Sequence, residues 1–161
     1  MKRIYLAFQI ALVSLLAVMS TTAMGLASNP VRSPFSAEIL ASGQPLDPGR
    51  SWVGGNGIMH VRGMVLEGTI TGDIDGEVLI TQDMNLDATF TGNVHVKAVI
   101  TADSGAVYEM LAYVIVTNNA LSGTFMIHGT ESLRGTHMMG TVGGVGGGVA
   151  TLNGYQFTAK P

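Results

Sequence analysis

From Ser122 to Val142 the chain reads SGTFMIHGTESLRGTHMMGTV, and this stretch constrains the fold more than any other. Side-chain character alternates on both sides of a segment rich in turn formers, Gly129 to Gly135. A period of two on each flank with turn chemistry between them describes two antiparallel strands joined by a tight bend. A four-residue bend, Glu131 to Arg134, sets Thr130 opposite Gly135 and His128 opposite His137.

The same grammar runs through the chain, and almost no segment shows helical spacing. From Asp87 to Thr101, Ala88, Phe90, Val94, Val96, Ala98 and Ile100 share one face. His95, Lys97 and Thr101 share the other, the pattern of a half-buried antiparallel strand. Strands are further expected over Phe35 to Ala41, Ser51 to Val53, Ile58 to Thr71, Glu77 to Gln82, Ala106 to Val116 and Val149 to Ala159. Ile58 to Thr71 is long enough to need a bulge, at Gly63 or Gly68. Turns are expected at Asp73 to Gly76, Asp83 to Leu86, Asp103 to Gly105, Thr117 to Asn119 and Gly143 to Gly148. The fold class is therefore all-β, a single antiparallel barrel of about eight strands. The chain has no Cys, so no disulfide frame can protect the edges of an open sheet; closure removes them instead. The 22 glycines suit strongly coiled strands.

Residues 1–25 read as a secretory signal. Lys2 and Arg3 precede an apolar run from Ile4 to Met19, and small residues follow with Ala23, Gly25 and Ala27 at positions suited to cleavage. The run is somewhat short for a full membrane span, which takes about 20 residues, and an uncleaved anchor is the alternative. Residues 26–34, with Pro30, read as a flexible leader, and residues 35–161 as the barrel domain. Without Lys2 and Arg3 the chain carries 6 basic groups against 11 acidic ones, a net charge of −5. A mildly acidic surface with no basic cluster excludes nucleic acid as an expected partner. Low aromatic content (6%) and the polar outward face of Asp87 to Thr101 argue against membrane insertion of the mature domain.

Two segments resemble the allene oxide cyclase and dirigent barrel superfamily, which includes secreted microbial domains of unknown function. One is Gly57 to Gly63 running into Gly68 to Asp73; the other is Gly129 to Gly135 and on to Gly140. The second resembles a Gly-Thr-Gly-x-Phe-x-Gly-x-x-Gly corner, with Glu131 in place of the second glycine and Leu133 in place of the aromatic. The resemblance spans most of residues 35–160 and implies a calycin-like barrel whose interior holds a hydrophobic substrate, for cyclisation or for steering a radical coupling. Its motifs are glycines and turns, which report backbone geometry rather than catalysis. No catalytic position carries over, and no cofactor is expected.

The candidate site residues are few. His60 and Arg62 share a strand face with Ile58, Met64 and Leu66, so an inward orientation would place two polar groups in an apolar pocket. Glu67 joins them if a bulge re-phases the strand. Directly paired His128 and His137 would have Cβ atoms about 5 Å apart, close enough to share a metal if further donors arrive. Each has a structural alternative: a hydrogen-bonded pair at the barrel mouth for the first set, a cross-strand surface pair for the second. The expected function is a secreted small barrel that binds a small hydrophobic molecule. A cyclase- or dirigent-like enzyme and a purely structural extracellular module are the alternatives. N-terminal sequencing of the exported protein should find the mature chain starting at Leu26 or Ser28; an intact Met1 would make the segment an anchor.

Overall fold

The computed structural model describes residues 30–158. Nine strands run in order: β1 (Val31–Ala41), β2 (Arg50–Val53), β3 (Met59–Gly72), β4 (Gly76–Leu86), β5 (Gly92–Ala102), β6 (Val107–Thr117), β7 (Ala120–Gly129), β8 (Thr136–Val145) and β9 (Val149–Thr158). A single 3-10 turn, Glu131–Leu133, caps the β7–β8 hairpin. Neighbours pair antiparallel from β3 through β9, β9 pairs with β1, and β1 returns to β3. The result is a closed eight-stranded barrel, with β2 as a short ninth strand laid along the first half of β3.

Closure divides β3 between two partners. Gly68 to Gly72 pair with β1, whereas Met59 to Arg62 pair with β2. The two stretches of β3 are out of phase because of a bulge: Val61 faces Met84 and Met64 faces Gln82, so Arg62 and Gly63 together oppose Asp83. Gly63 supplies the left-handed conformation needed there (φ 68°), and its amide donates to the Asp83 carboxylate at 2.8 Å.

The core fills one half of the barrel. Phe125, Gly140, Gly154 and Phe35 are successive cross-strand partners on the inner face of β7, β8, β9 and β1. The two glycines let β8 and β9 approach until a Cβ on Gly140 would lie 2.6 Å from the Gly154 Cα. Over this bare strip Phe35 and Phe125 meet, with ring centroids 5.8 Å apart, although two strands separate them in the sheet. Ile70, Ile100, Ile127 and Met138 pack around the rings, all essentially without exposure. Burying each ring is worth about 3–5 kcal/mol against alanine. This end of the barrel is plugged.

Several expected boundaries move. β1 begins at Val31, so residues 31–34 of the expected leader are strand; Pro34 is tolerated because β1 has no β3 partner beyond Ala37. The expected signal segment, 1–25, lies outside the described residues. β4 continues through Asp83 to Leu86, which pair fully with β5 and are not a turn. The turn is Asp87 to Thr91, and Phe90 sits in it exposed with φ 55°, so Ala88 and Phe90 leave the inner face on which alternation placed them. Gly143 and Gly144 belong to β8, not to the turn expected there, and β9 runs Val149–Thr158 as one strand. The remaining alternation of β5 is as expected, with Val94, Ala98 and Ile100 buried and His95 and Lys97 exposed. The outer wall is less polar than β5 alone suggests, since Leu111, Met126, Met139 and Tyr155 stand side by side across β6 to β9.

Glu131 occupies the left-handed region (φ 47°) that disfavours a side chain. Glu131→Gly should therefore raise stability by about 0.5–1 kcal/mol, while Gly140→Ala should lower it by about 2 kcal/mol or more through the backbone clash. Denaturant melts of the two variants read both signs; equal effects would contradict the close approach of β8 and β9.

Candidate functional site

The half of the barrel above Phe35 and Phe125 is hollow. A cavity of about 500 Å³ occupies it, lined by apolar side chains from all eight barrel strands. Ile39, Leu66, Ile80, Val94, Val114 and Leu152 give an aliphatic wall, and Met59, Met64, Met84 and Met110 add four flexible thioethers. It opens at the end where the β1–β2, β4–β5, β6–β7 and β8–β9 connections lie, bounded by Gly43, Pro45, Phe90, Asn119 and Gly146 to Gly148. A dry void of that volume would cost about 12 kcal/mol at ~24 cal/mol per Å³, comparable with the whole stability of a domain. The space is accordingly one for solvent or a ligand.

Among the described residues no ionisable side chain lines the cavity. Its polar side chains are Ser42, Gln82 and Asn119. The Ser42 hydroxyl donates to the Gln44 carbonyl at 3.0 Å, and the Asn119 amide donates to the Gly146 carbonyl at 3.1 Å. Both are thus engaged at the rim. Gln82 sits deeper on β4, between Met64 of β3 and Val96 of β5. It was not among the residues singled out by sequence. The signal for it was present, because Val78, Ile80, Gln82, Met84 and Leu86 form one period-two face once β4 runs to Leu86.

The rim is organised by hydrogen bonds. Asn118 and Asn119 both take positive φ (47° and 69°), the geometry of a two-residue hairpin loop. In the β4–β5 turn one Asp87 carboxylate oxygen accepts from the Thr89 hydroxyl (2.7 Å), the Thr89 amide (2.8 Å) and the Thr91 amide (3.0 Å). The Asn118 amide donates to the Thr91 hydroxyl at 3.0 Å, joining the two rim turns. This framework holds Phe90 at the mouth.

The sequence candidates lie elsewhere. Val61 and Met59 point inward, so His60 and Arg62 face outward, contrary to the inward orientation a ligand role needs. The bulge is the reason: Met64 and Leu66 reach the lumen only because Gly63 shifts their phase relative to His60 and Arg62. On the outer wall His60 stacks on Trp52 of β2 with centroids 5.1 Å apart, and its Nδ1 meets the Asn85 Oδ1 at 2.7 Å. The Arg62 guanidinium donates to the Val61 and Met84 carbonyls at 2.7 Å and to the same Asn85 oxygen at 2.6 Å. Asn85 in turn donates to Asn93 at 2.8 Å. This network fastens β2 to the barrel. Glu67 is exposed on the outer wall opposite Leu79, apart from the lumen.

His128 and His137 do pair directly across β7 and β8. Their Nδ1 atoms are 2.7 Å apart with rings nearly perpendicular (87°), a hydrogen bond in which one ring donates and the other accepts. Two nitrogens on one tetrahedral metal with bonds of ~2.0–2.1 Å would stand roughly 3.3 Å apart. Among the described residues no group of three metal-ligating side chains exists. The pair is a cross-strand clamp on the outside of the plugged end.

The Thr89 hydroxyl, followed by the Thr91 and Thr89 amides, holds the Asp87 carboxyl below the ordinary aspartate value of 3.8. A depressed value means that the turn is fully supported above the ordinary aspartate range and loses that support as pH falls through the lower value of Asp87 itself. The Thr89 and Thr91 amide resonances should titrate with a midpoint below that of a free aspartate, and Asp87→Asn should abolish the transition. A midpoint at or above the free value would rule out the three-donor arrangement.

Comparison of the chain with known protein families, with curated proteins and with solved structures finds no match.

Proposed function

We propose that this protein binds one small hydrophobic molecule in the open half of its barrel. The observation that carries the reading is the cavity of about 500 Å³ with an apolar wall, bounded at one end by the β1–β2, β4–β5, β6–β7 and β8–β9 connections. That size is within the range of ligand sites, ~300–1,000 Å³, and beyond what packing of an eight-stranded barrel leaves when side chains fill it. The four methionines suit a site that adapts to its occupant, since a thioether side chain fills irregular gaps with little strain. The resemblance to allene oxide cyclase and dirigent barrels adds support for a ligand-holding lumen. Binding is favoured over an enzyme of that kind because acid–base chemistry needs a titratable group in reach of the substrate, and the described lining offers none.

The placement of charge supports a barrel that works outside the bilayer. Glu67, Asp83, Lys97 and Glu109 are exposed on the outer wall while the lumen is apolar, the reverse of a membrane barrel. Export of the mature domain rests on the N-terminal sequence alone.

Pyrene, a hydrocarbon whose emission reports the polarity around it, tests the reading directly. The wild-type chain should bind it at one site, and Ala112→Trp, which fills the middle of the lumen from β6, should weaken binding at least ten-fold while circular dichroism stays unchanged. No binding by the wild type, or equal binding by the variant, would overturn the proposal.

A further inference from the structure

Among the described residues, one polar side chain of the lumen has no partner within the protein. Among the described residues the Gln82 amide makes no hydrogen bond, while the other two polar lining side chains, Ser42 and Asn119, are bonded to backbone carbonyls at the rim. No buried side-chain nitrogen or oxygen in the described residues lacks both a partner and access, so the Gln82 amide opens onto the cavity itself. Its surroundings are otherwise apolar: Ile80 and Met84 flank it along β4, and Met64 and Val96 flank it across the sheet. Once a ligand displaces solvent from the lumen, a primary amide in such a place is costly unless the ligand pairs with it, whereas a leucine would carry no such cost.

We infer that Gln82 is the specificity-determining residue of the site, and that the ligand is a neutral, mostly hydrocarbon molecule with one carbonyl or hydroxyl group placed to meet the Gln82 amide. The inference rests on the lumen being a binding site and names the class of molecule it takes. An amide carries both a donor and an acceptor, so it serves a ketone, aldehyde, ester or alcohol equally well. It does not serve a carboxylate. Among the described residues no Lys, Arg or His lines the cavity to balance an anion, and an ionised group would enter a low-dielectric space with only a neutral amide to donate to it. Fatty acids and other organic anions are therefore excluded at neutral pH, although their hydrocarbon parts fit the wall. A single polar group in the middle of the lumen also sets the depth at which a ligand sits, with the hydrocarbon part bordered by Met110 and Leu152 and the mouth bordered by Phe90.

The test is competition against bound pyrene by three chains of equal length: 2-undecanone, 1-undecanol and undecanoate. The wild type should prefer the ketone and the alcohol over the carboxylate by at least ten-fold at pH 8. Gln82→Leu should lower the affinity for the ketone and for the alcohol about five-fold relative to that for pyrene, the worth of one neutral hydrogen bond. Equal ketone affinity relative to pyrene in the wild type and Gln82→Leu, with pyrene bound by both, would overturn the role of Gln82 and leave the binding site intact. Preference for undecanoate would overturn the neutral-ligand assignment. Loss of pyrene from the wild type would instead remove the binding site altogether, so the two failures are distinguishable.

Discussion

The strip Phe35–Gly154–Gly140–Phe125 is the contact on which the rest of the barrel depends. Glycine at one inner-face position of each of two adjacent strands, Gly140 and Gly154, lets two aromatic rings cross the lumen and touch. An eight-stranded barrel has an interior that side chains can just fill or that can hold one small ligand. Here the filling is uneven. The rings and the isoleucines around them concentrate packing at one end, and the other end is free to remain hollow because the plugged half supplies the cohesion. Stability and binding capacity are thus segregated along the barrel axis.

The bulge at Gly63 has a comparable reach. Without it, Ile58, His60, Arg62, Met64 and Leu66 would share a face, and the lumen would carry a cation. With it, Met64 and Leu66 turn inward while His60 and Arg62 turn outward to hold Trp52 and Asn85. One residue of backbone slip separates a charged pocket from an apolar one.

Much of the architecture was legible in residue order. Alternation located the faces of β5 from Val94 onward, and the length of the bend after Thr130 set His128 against His137, as the register has it. The barrel class followed from turn spacing and the absence of Cys. What escaped were the places where local pattern and three-dimensional phase part company. Asp83 to Leu86 looks like a turn because it mixes polar and apolar residues, yet strong pairing with β5 keeps it extended. Asp87 to Thr91 looks like strand because it alternates, yet the Asp87 carboxylate gathers it into a turn through three donors. Two candidate bulge positions, Gly63 and Gly68, could not be ranked by sequence, and the orientation of His60 and Arg62 hung on that choice. Gln82 stayed hidden for the same reason as the end of β4: shortening the strand removed the neighbours that reveal its face.

The seam between β1 and β3 spans five residue pairs, Ala37 to Ala41 against Gly72 to Gly68, and the other edge of β1 belongs to β9. Val31 pairs with Thr158, so the first strand described finds its longest partner in the last. A chain made from its N-terminus must therefore carry β1 without that partner until the final strand has been synthesised. The hairpins from β3 to β8 can form in passing, since each joins sequence neighbours, but the ring cannot close around its lumen before β9 is present. Such wiring predicts slow, late consolidation, and it keeps the barrel open until β9 has joined β1.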